Sequence, residues 1–228
     1  MGEMVTYRGG SGTGEGYLAI PPTGAASPAV IVIQDWWGLV PHIRSVVDRF
    51  AEAGFVALAP DLRHGEPAGE PGGPRRLLDG PQMDETAQTI AAAADHLAGR
   101  AEVTGKVGCA GFSAGASLAL WAANFSERIV ATAAFYPLLP WDGMRTEWTG
   151  WAGKDALVHC AEADGSSADQ GVQTVRRAIE NAGGVCQLHD YPGTAHAFFD
   201  EDRPERFDQR AATSAWARTL ELFRAKLG

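Results

Sequence analysis

A continuous run of mainly β-branched residues at positions 29–34, Ala-Val-Ile-Val-Ile-Gln, most constrains how this chain can fold. Because the run lacks polar alternation, it is typical of a strand buried on both faces, as in a parallel sheet covered by helices. Further strands are predicted at residues 55–59, 106–110, 129–136, 156–161 and 185–191. Six strands interleaved with helices predict an α/β domain with a mostly parallel sheet, helices on both faces and right-handed crossovers.

Helical spacing of apolar residues predicts helices from Pro41 to just before Gly54 and at residues 83–97, 114–124, 168–182 and 205–227. The glycine-rich segment at residues 9–14 has neither the preceding strand nor the following helix of a phosphate-binding loop. It is predicted to be the turn of a hairpin with arms at residues 5–8 and 16–20. The chain is therefore expected to be one domain, with a hairpin over residues 1–22 and a core over residues 23–228.

Composition narrows the possible partners. The 228 residues carry a net charge of -9, which argues against nucleic acid or an anionic membrane surface as the main partner. No apolar run reaches the roughly 18 residues of a membrane-spanning helix, and no secretory signal is visible. The three cysteines, Cys109, Cys160 and Cys186, lie at or next to predicted strands. Their odd number indicates reduced, buried thiols and predicts a cytoplasmic protein.

The segment Gly111-Phe112-Ser113-Ala114-Gly115 joins a predicted strand directly to a predicted helix. In that context a G-x-S-x-G sequence is typical of a nucleophile elbow, which presents a serine hydroxyl above the carboxyl edge of the sheet. Ser113 is therefore predicted to be a nucleophile, the alternative being a glycine-rich packing turn whose serine caps the helix.

A serine hydroxyl needs a base within hydrogen-bonding reach. His196 follows the last predicted strand, lies in a loop and comes after the serine, as the usual chain order of such sites requires. His64 also lies in a loop after a strand and stays an alternative. The other histidines fall inside predicted strands or near helix ends, where structural roles are more common: His42, His96, His159 and His189.

The acid that orients the imidazole is predicted to be Asp164, which follows a strand at the carboxyl edge of the sheet. It lies 51 residues after Ser113 and 32 before His196, which leaves room for one strand–helix unit on each side. Glu162 is the reserve candidate. Of the other aspartates between Ser113 and His196, Asp155 starts a strand, Asp190 lies on the last strand and Asp169 is explained by helix capping. Asp142 is the remaining one in this interval.

With these residues in place, the chain resembles the dienelactone hydrolase family of α/β-hydrolases along most of its length. The resemblance is carried by the elbow and by four further segments: Ile33-Gln34-Asp35-Trp36-Trp37-Gly38, Pro60-Asp61-Leu62, Ala161-Glu162-Ala163-Asp164, and Tyr191-Pro192-Gly193 through His196-Ala197-Phe198. It implies an α/β-hydrolase core without a large lid, a nucleophile–His–Asp triad, no metal or other cofactor, and the opening of lactones or esters.

The chain departs from the family at the nucleophile, where Ser113 replaces the cysteine of the founding members. The resemblance also implies an acidic residue beside the nucleophile, which corresponds to Asp35. Two arginines that bind a substrate carboxylate in the family have no clear counterparts. Arg75 or Arg76 is a candidate for the first, whereas Asp200 stands where the second is expected and Arg203 is displaced from that position. An acidic residue there argues against an anionic substrate.

We therefore expect an ester or lactone hydrolase whose oxyanion is held by the backbone N–H groups of Trp36 and Ala114. Asp35, Trp37, Arg75, Arg76 and Phe198 are candidate substrate contacts. Three tryptophans in the loop at residues 137–153 are either core residues or a wall of an acyl pocket: Trp141, Trp148 and Trp151. The partner is expected to be a small ester or lactone, and the chain a monomer or a homodimer. An acyltransferase or cyclase, and a non-catalytic binding protein on the same fold, stay open as alternatives.

Overall fold

The computed structural model describes residues 1–9, 12–22, 24–63, 80–141, 143–164 and 170–228. Eight strands form one sheet in the order β1-β2-β4-β3-β5-β6-β7-β8. They are β1 (Glu3–Gly9), β2 (Gly12–Ala19), β3 (Ser27–Ile33), β4 (Val56–Pro60), β5 (Val103–Phe112), β6 (Ile129–Phe135), β7 (Asp155–Ala161) and β8 (Val185–Tyr191).

The six strands from β3 to β8 pair in parallel, which confirms the predicted sheet. Every residue of β4 and β7 is buried, as expected for strands with helices on both faces. The described residues contain five α-helices, α1 (Pro41–Glu52), α2 (Gly80–Ala98), α3 (Ala114–Ala122), α4 (Gln170–Asn181) and α5 (Gln209–Leu227).

Two apolar cores lie on opposite faces of the sheet. One packs α2, α3 and α4 against the sheet, and the other packs α1 and α5 against the opposite face. Alternation along β3 shows the division, because Ile31 and Ile33 belong to the first core and Val30 and Val32 to the second. All of the parallel strands therefore end at one edge, where the loops that follow them meet.

The N-terminal hairpin is part of this sheet. Its second strand, β2, pairs antiparallel with β4, from Gly16 opposite Pro60 to Ala19 opposite Ala57. The arms are longer than predicted because β1 and β2 pair as far as Gly9 opposite Gly12.

The C-terminal helix begins later than predicted. Residues 205–208 lie outside it, and α5 starts at Gln209. The side chain of Asp208 caps the helix by accepting a hydrogen bond of 2.8 Å from the N–H of Ala211. Such a cap fixes the first turn, and it sets the start of the helix five residues after Pro204.

The three tryptophans of the 137–153 loop are core residues. Trp141 and Trp148 pack edge-on against Trp121 of α3, with ring centroids 5.8 and 5.2 Å away. The indole N–H of Trp151 donates a hydrogen bond of 3.2 Å to the carbonyl of Leu120. The alternative prediction, that these three side chains line an acyl pocket, is therefore wrong.

Two glycines allow β5, α3 and the end of β3 to cross at very short range. A Cβ added to Gly111 would lie 2.2 Å from the carbonyl oxygen of Gly115. A Cβ added to Gly115 would lie 2.1 Å from the carbonyl oxygen of Gln34. Because both obstacles are backbone atoms, the conflict is not relieved by the movement of a side chain.

None of the helices in the described part of the chain combines the length and apolarity that crossing a bilayer requires.

We expect Gly115→Ala to lower the free energy of unfolding by at least about 2 kcal/mol, since the added methyl group overpacks a backbone crossing. Gly12→Ala is the matched control, because its Cβ would meet nothing within 4 Å. Urea denaturation of both variants measures the difference. Equal midpoints for Gly115→Ala and the unsubstituted chain would contradict the close crossing.

Candidate active site

Ser113 lies in the turn between β5 and α3 with φ 55° and ψ -120°. This backbone conformation is strained for a residue with a side chain, and it occurs most often at functional sites. A hydrogen bond of 3.0 Å from the N–H of Ser113 to the carbonyl of Phe135 holds the turn against the end of β6. The strained turn is thus fixed between a strand and a helix, as an elbow requires.

His196 lies in the loop after β8, with its Nε2 atom 2.8 Å from Oγ of Ser113. The loop turns sharply, because both the N–H and the hydroxyl of Thr194 donate to the carbonyl of Tyr191, at 3.3 and 2.6 Å. The ring of Tyr136 packs edge-on against the imidazole, with centroids 5.0 Å apart. The imidazole is therefore held in orientation by an aromatic neighbour as well as by its hydrogen bonds.

Asp164 ends a short 3-10 helix, Glu162–Asp164, which follows β7 directly. Its Oδ2 atom lies 2.5 Å from Nδ1 of His196. The reserve candidate, Glu162, binds the histidine loop at another point, where its carboxylate accepts a hydrogen bond of 2.6 Å from the N–H of Gly193. Ala163 adds a backbone hydrogen bond of 3.2 Å to the carbonyl of Thr194. The acid loop and the histidine loop are therefore joined by two contacts besides the Asp164–His196 pair.

The structure places the other histidines as follows. His159 is buried inside β7, with Nδ1 2.9 Å from the hydroxyl of Tyr191 and Nε2 3.0 Å from that of Thr219. Burial holds its pKa well below the ordinary value, so it is a neutral core residue. His96 stacks on Tyr7, and His189 lies in β8. His64, Asp142 and Asp169 lie outside the described residues.

A cavity of about 170 Å³ opens beside the Ser113–His196 pair. It lies at the carboxyl edge of the sheet, and its lining combines aromatic rings with ionisable groups. The lining residues are Asp35, Trp36, Trp37, His42, Phe112, Ser113, Tyr136, His196, Ala197, Asp200, Arg203 and Arg206. A protein cavity of about 150 Å³ can hold a molecule the size of benzene, so this space accommodates a small organic group.

Of the two residues predicted to supply oxyanion donors, one lines the cavity and the other directly follows Ser113 in the chain. Trp36 lines it, in the loop after β3. Ala114 is the first residue of α3, and the first N–H groups of a helix have no carbonyl partner within the helix. The guanidinium of Arg63 donates a hydrogen bond of 3.1 Å to the carbonyl of Trp36, which fixes the peptide that follows the strand.

Asp35 lines the cavity and is mostly shielded from solvent. Its Oδ1 atom accepts a hydrogen bond of 2.8 Å from the N–H of Trp37, and its Oδ2 atom lies 3.9 Å from the guanidinium of Arg203. Burial raises the pKa of this carboxyl to about 6, against the opposing effects of the hydrogen bond and of Arg203. Asp35 is therefore a carboxyl group that titrates near neutrality inside the cavity.

Sequence reasoning did not single out three residues that line the cavity: His42, Tyr136 and Arg206. His42 is buried near the start of α1, and its Nε2 atom has no hydrogen-bond partner among the described residues. Its Nδ1 atom lies 3.5 Å from the carboxylate of Asp200. The position of His42 in a helix gave no indication of this role, because a helix buries several side chains of which only some reach a cavity.

One expected substrate contact is placed differently. Phe198 is fully buried and packs against Tyr136 and Tyr191, with centroids 5.3 and 4.9 Å away, so it lies in the core and not on the cavity. Arg203, which was expected only to lie near the position of the family's second arginine, also lines the cavity. Trp37 lines it as expected, and Arg75 and Arg76 lie outside the described residues.

None of the three cysteines, all of which the structure describes, lines the cavity beside Ser113. All three are buried and none is in a disulfide. Burial raises the pKa of Cys109 far above its ordinary value and that of Cys186 to about 12. These thiols therefore stay protonated at neutral pH, which makes them unreactive.

Comparison with known proteins identifies the family. A sequence model of the dienelactone hydrolase family matches residues 15–227, so the chain belongs to this family of ester and lactone hydrolases. The chain is 32% identical over 241 residues to Protein usf of Aquifex pyrophilus, with all of both chains covered. It is 30% identical over 235 residues to the Aquifex aeolicus protein named "Putative carboxymethylenebutenolidase", again with all of both chains covered.

Solved structures agree in fold. A dienelactone hydrolase-like promiscuous phosphotriesterase, P91, from metagenomic libraries superimposes with a TM-score of 0.81 at 23% identity. The match covers 100% of this chain and 99% of that one. A thermostable esterase from Pseudomonas putida superimposes with a TM-score of 0.70 at 15% identity, covering 100% of this chain and 83% of that one. At these identities the likeness concerns the fold, which is the α/β-hydrolase fold without a large lid.

The raised pKa of Asp35 predicts how stability depends on pH. The folded chain binds this proton more tightly than the unfolded chain, so the stabilisation is complete below pH 4 and is lost as pH rises towards 6. Asp35→Asn cannot ionise. Relative to that of the unsubstituted chain, its free energy of unfolding should therefore rise by about 2 kcal/mol between pH 4 and pH 7.

Chemical denaturation at several pH values measures this difference. The control is Asp202→Asn, which removes an equal charge at an exposed position. A constant difference between Asp35→Asn and the unsubstituted chain across this range would show that Asp35 ionises as an ordinary carboxyl does.

Proposed function

We propose that this chain hydrolyses small carboxylic esters or lactones through an acyl-enzyme on Ser113. His196 is the general base and acid, and Asp164 orients its imidazole. The observation that carries the proposal is an unbroken hydrogen-bonded line from Oγ of Ser113 through the two ring nitrogens of His196 to Asp164, with steps of 2.8 and 2.5 Å.

In the first half of the reaction, Oγ of Ser113 attacks the carbonyl carbon while Nε2 of His196 takes the hydroxyl proton. The carboxylate of Asp164 stabilises the imidazolium that forms and fixes the tautomer with a proton on Nδ1. The tetrahedral intermediate collapses when His196 gives its proton to the leaving oxygen. An alcohol is released from an ester, whereas the hydroxyl end of an opened lactone stays attached to the acyl group.

The negative charge of the tetrahedral oxygen is proposed to lie between the N–H groups of Trp36 and Ala114. Both come from the strand–loop junctions that the glycine crossing brings together, and the start of α3 adds the positive end of its dipole. Loss of one such donor generally costs about 3 kcal/mol of transition-state stabilisation. Because both donors are backbone groups, they survive side-chain substitution.

In the second half, a water molecule attacks the acyl carbon and His196 again takes the proton. Oγ of Ser113 leaves and recovers its proton from the imidazolium, which regenerates the starting state. An acyltransferase would use the same residues with another acceptor, so the products formed in the presence of added alcohols separate the two. A purely binding role gives no reason for the short contacts between Ser113, His196 and Asp164.

A fluorophosphonate probe should label Ser113 with a stoichiometry of one. Ser113→Ala should abolish both the labelling and the turnover of p-nitrophenyl esters, because no other group replaces the nucleophile. Intact-protein mass spectrometry and absorbance assays measure the two effects. Ser45→Ala, a substitution of an exposed serine on α1, should leave both unchanged.

Thiol alkylation provides the complementary control, because the three cysteines are buried. Treatment of the native protein with iodoacetamide should leave turnover intact. Inactivation at the same rate as alkylation, or persistent labelling of Ser113→Ala, would overturn the assignment of the nucleophile.

Asp164→Asn should lower kcat by about 10⁴-fold, since the amide favours the wrong imidazole tautomer. Glu162→Gln keeps an oxygen for the N–H of Gly193, so its kcat should stay within about tenfold of the unsubstituted enzyme. Steady-state kinetics of this matched pair distinguishes the two acids. A larger loss in Glu162→Gln than in Asp164→Asn would transfer the orienting role to Glu162.

A further inference from the structure

One cation of the cavity wall, Arg203, is engaged by two carboxylates. Its Nε atom lies 3.1 Å from Oδ2 of Asp200, and its Nη2 atom lies 3.9 Å from Oδ2 of Asp35. The guanidinium also lies over the ring of Trp37, 5.0 Å from the centroid. Arg203 is therefore held along the cavity wall with its charge already balanced.

Asp200 is the centre of this arrangement. It is only 6% exposed, and it faces Arg203 on one side and His42, at 3.5 Å, on the other. Its Oδ1 atom accepts a hydrogen bond of 3.0 Å from the N–H of Asp202, and its own N–H donates to the carbonyl of Ala197 at 3.0 Å. The carboxylate is thus fixed in place one turn after His196.

The second arginine of the cavity, Arg206, lies at its exposed rim. Its Nε atom is 3.9 Å from the carboxylate of Glu205, in a pair open to solvent on both sides. Solvent and salt screen an exposed cation of this kind, so it offers a weak anchor for an anion. Among the described residues that line the interior of the cavity, Asp35 and Asp200 therefore face the guanidinium of Arg203.

We infer that Asp200 determines the charge specificity of the site, so that the cavity selects acyl groups without a negative charge. The inference rests on the proposed function and names its substrate class. A substrate carboxylate would have to displace Asp200 from Arg203 or lie beside Asp35 and Asp200, which already share that one guanidinium, and both arrangements are unfavourable in a partly desolvated space. A neutral acyl group meets the aromatic surfaces of Trp37, Phe112 and Tyr136 without that cost.

Two p-nitrophenyl esters of matched shape test the inference. The acyl chain of p-nitrophenyl hydrogen adipate ends in a carboxylate, and that of p-nitrophenyl 6-oxoheptanoate ends in a neutral methyl ketone of equal length. The unsubstituted enzyme should favour the ketone in kcat/KM by at least about tenfold. Asp200→Asn, which keeps the shape of the side chain but releases Arg203, should shift the ratio towards the adipate by about tenfold.

Two further variants identify the cause. Asp202→Asn makes the same change in net charge two residues away, at an exposed position, and should leave the ratio and the activity unchanged. In the double variant Asp200→Asn/Arg203→Met, the gain on adipate should disappear, because the guanidinium that Asp200→Asn releases is then absent. Equal turnover of both esters by the unsubstituted enzyme, an equal shift in Asp202→Asn, or a gain that persists without Arg203 would each overturn the inference.

A binding measurement separates this inference from the proposed chemistry. Methyl 6-oxoheptanoate should bind Ser113→Ala protein more tightly than the methyl hydrogen adipate anion, and Asp200→Asn in that background should reduce the difference. Calorimetric titration measures both. If neither ester is hydrolysed and Ser113 is not labelled, the proposed function fails, and the order of the two affinities still decides the charge specificity. Equal affinities overturn it.

Discussion

The close crossing of β5, α3 and the end of β3 is the constraint on which the site depends. Gly111 and Gly115 allow backbone to pass over backbone at distances that no side chain would tolerate. This crossing forces the sharp turn at Ser113 and its unfavourable dihedral angles. It also brings the loop after β3, with Asp35 and Trp36, to the first turn of α3. The same backbone crossing therefore positions both the hydroxyl of Ser113 and the backbone N–H groups near it.

The site also depends on the close approach of Asp164 and His196. Asp164 and His196 follow neighbouring parallel strands, so the sheet itself brings their loops to the same edge. Glu162 and Ala163 then tie the two loops through Gly193 and Thr194. The 2.5 Å contact between Asp164 and His196 is thus supported by neighbours whose hydrogen bonds do not involve the reacting groups. Such support keeps a short contact in place through a catalytic cycle.

Much of this arrangement could be predicted from the sequence, because it follows from patterns that repeat along the chain. Buried β-branched strands and helical spacing predicted a parallel sheet with helices on both faces. The G-x-S-x-G turn predicted the location of Ser113 at the end of one of its strands. Strand-end positions and chain order led to Asp164 and His196. The same rules excluded histidines inside strands as candidate bases, and the structure places one of them, His159 of β7, in the core.

The residues of the cavity wall were harder to predict from the sequence. They depend on which side chains of α1 and of residues 197–206 point into the cavity. His42 and Phe198 exchanged their expected roles, one lining the cavity and the other filling the core. Arg203 reaches the cavity because Asp200 holds it there, a pairing between residues three apart that no periodic pattern encodes. The observed start of α5 differs from the predicted one for a similarly local reason, which is the capping hydrogen bond of Asp208.

The sheet order has a consequence for how activity is acquired. The serine comes from a central strand, whereas the histidine follows β8, the outermost strand of the opposite edge from the hairpin. An intermediate with β3, β4 and β5 in place would already contain the elbow, but it would lack His196, the proposed base. Under the proposed mechanism, turnover therefore requires the sheet to be complete as far as β8, which makes recovery of turnover during refolding a more stringent indicator than recovery of secondary structure.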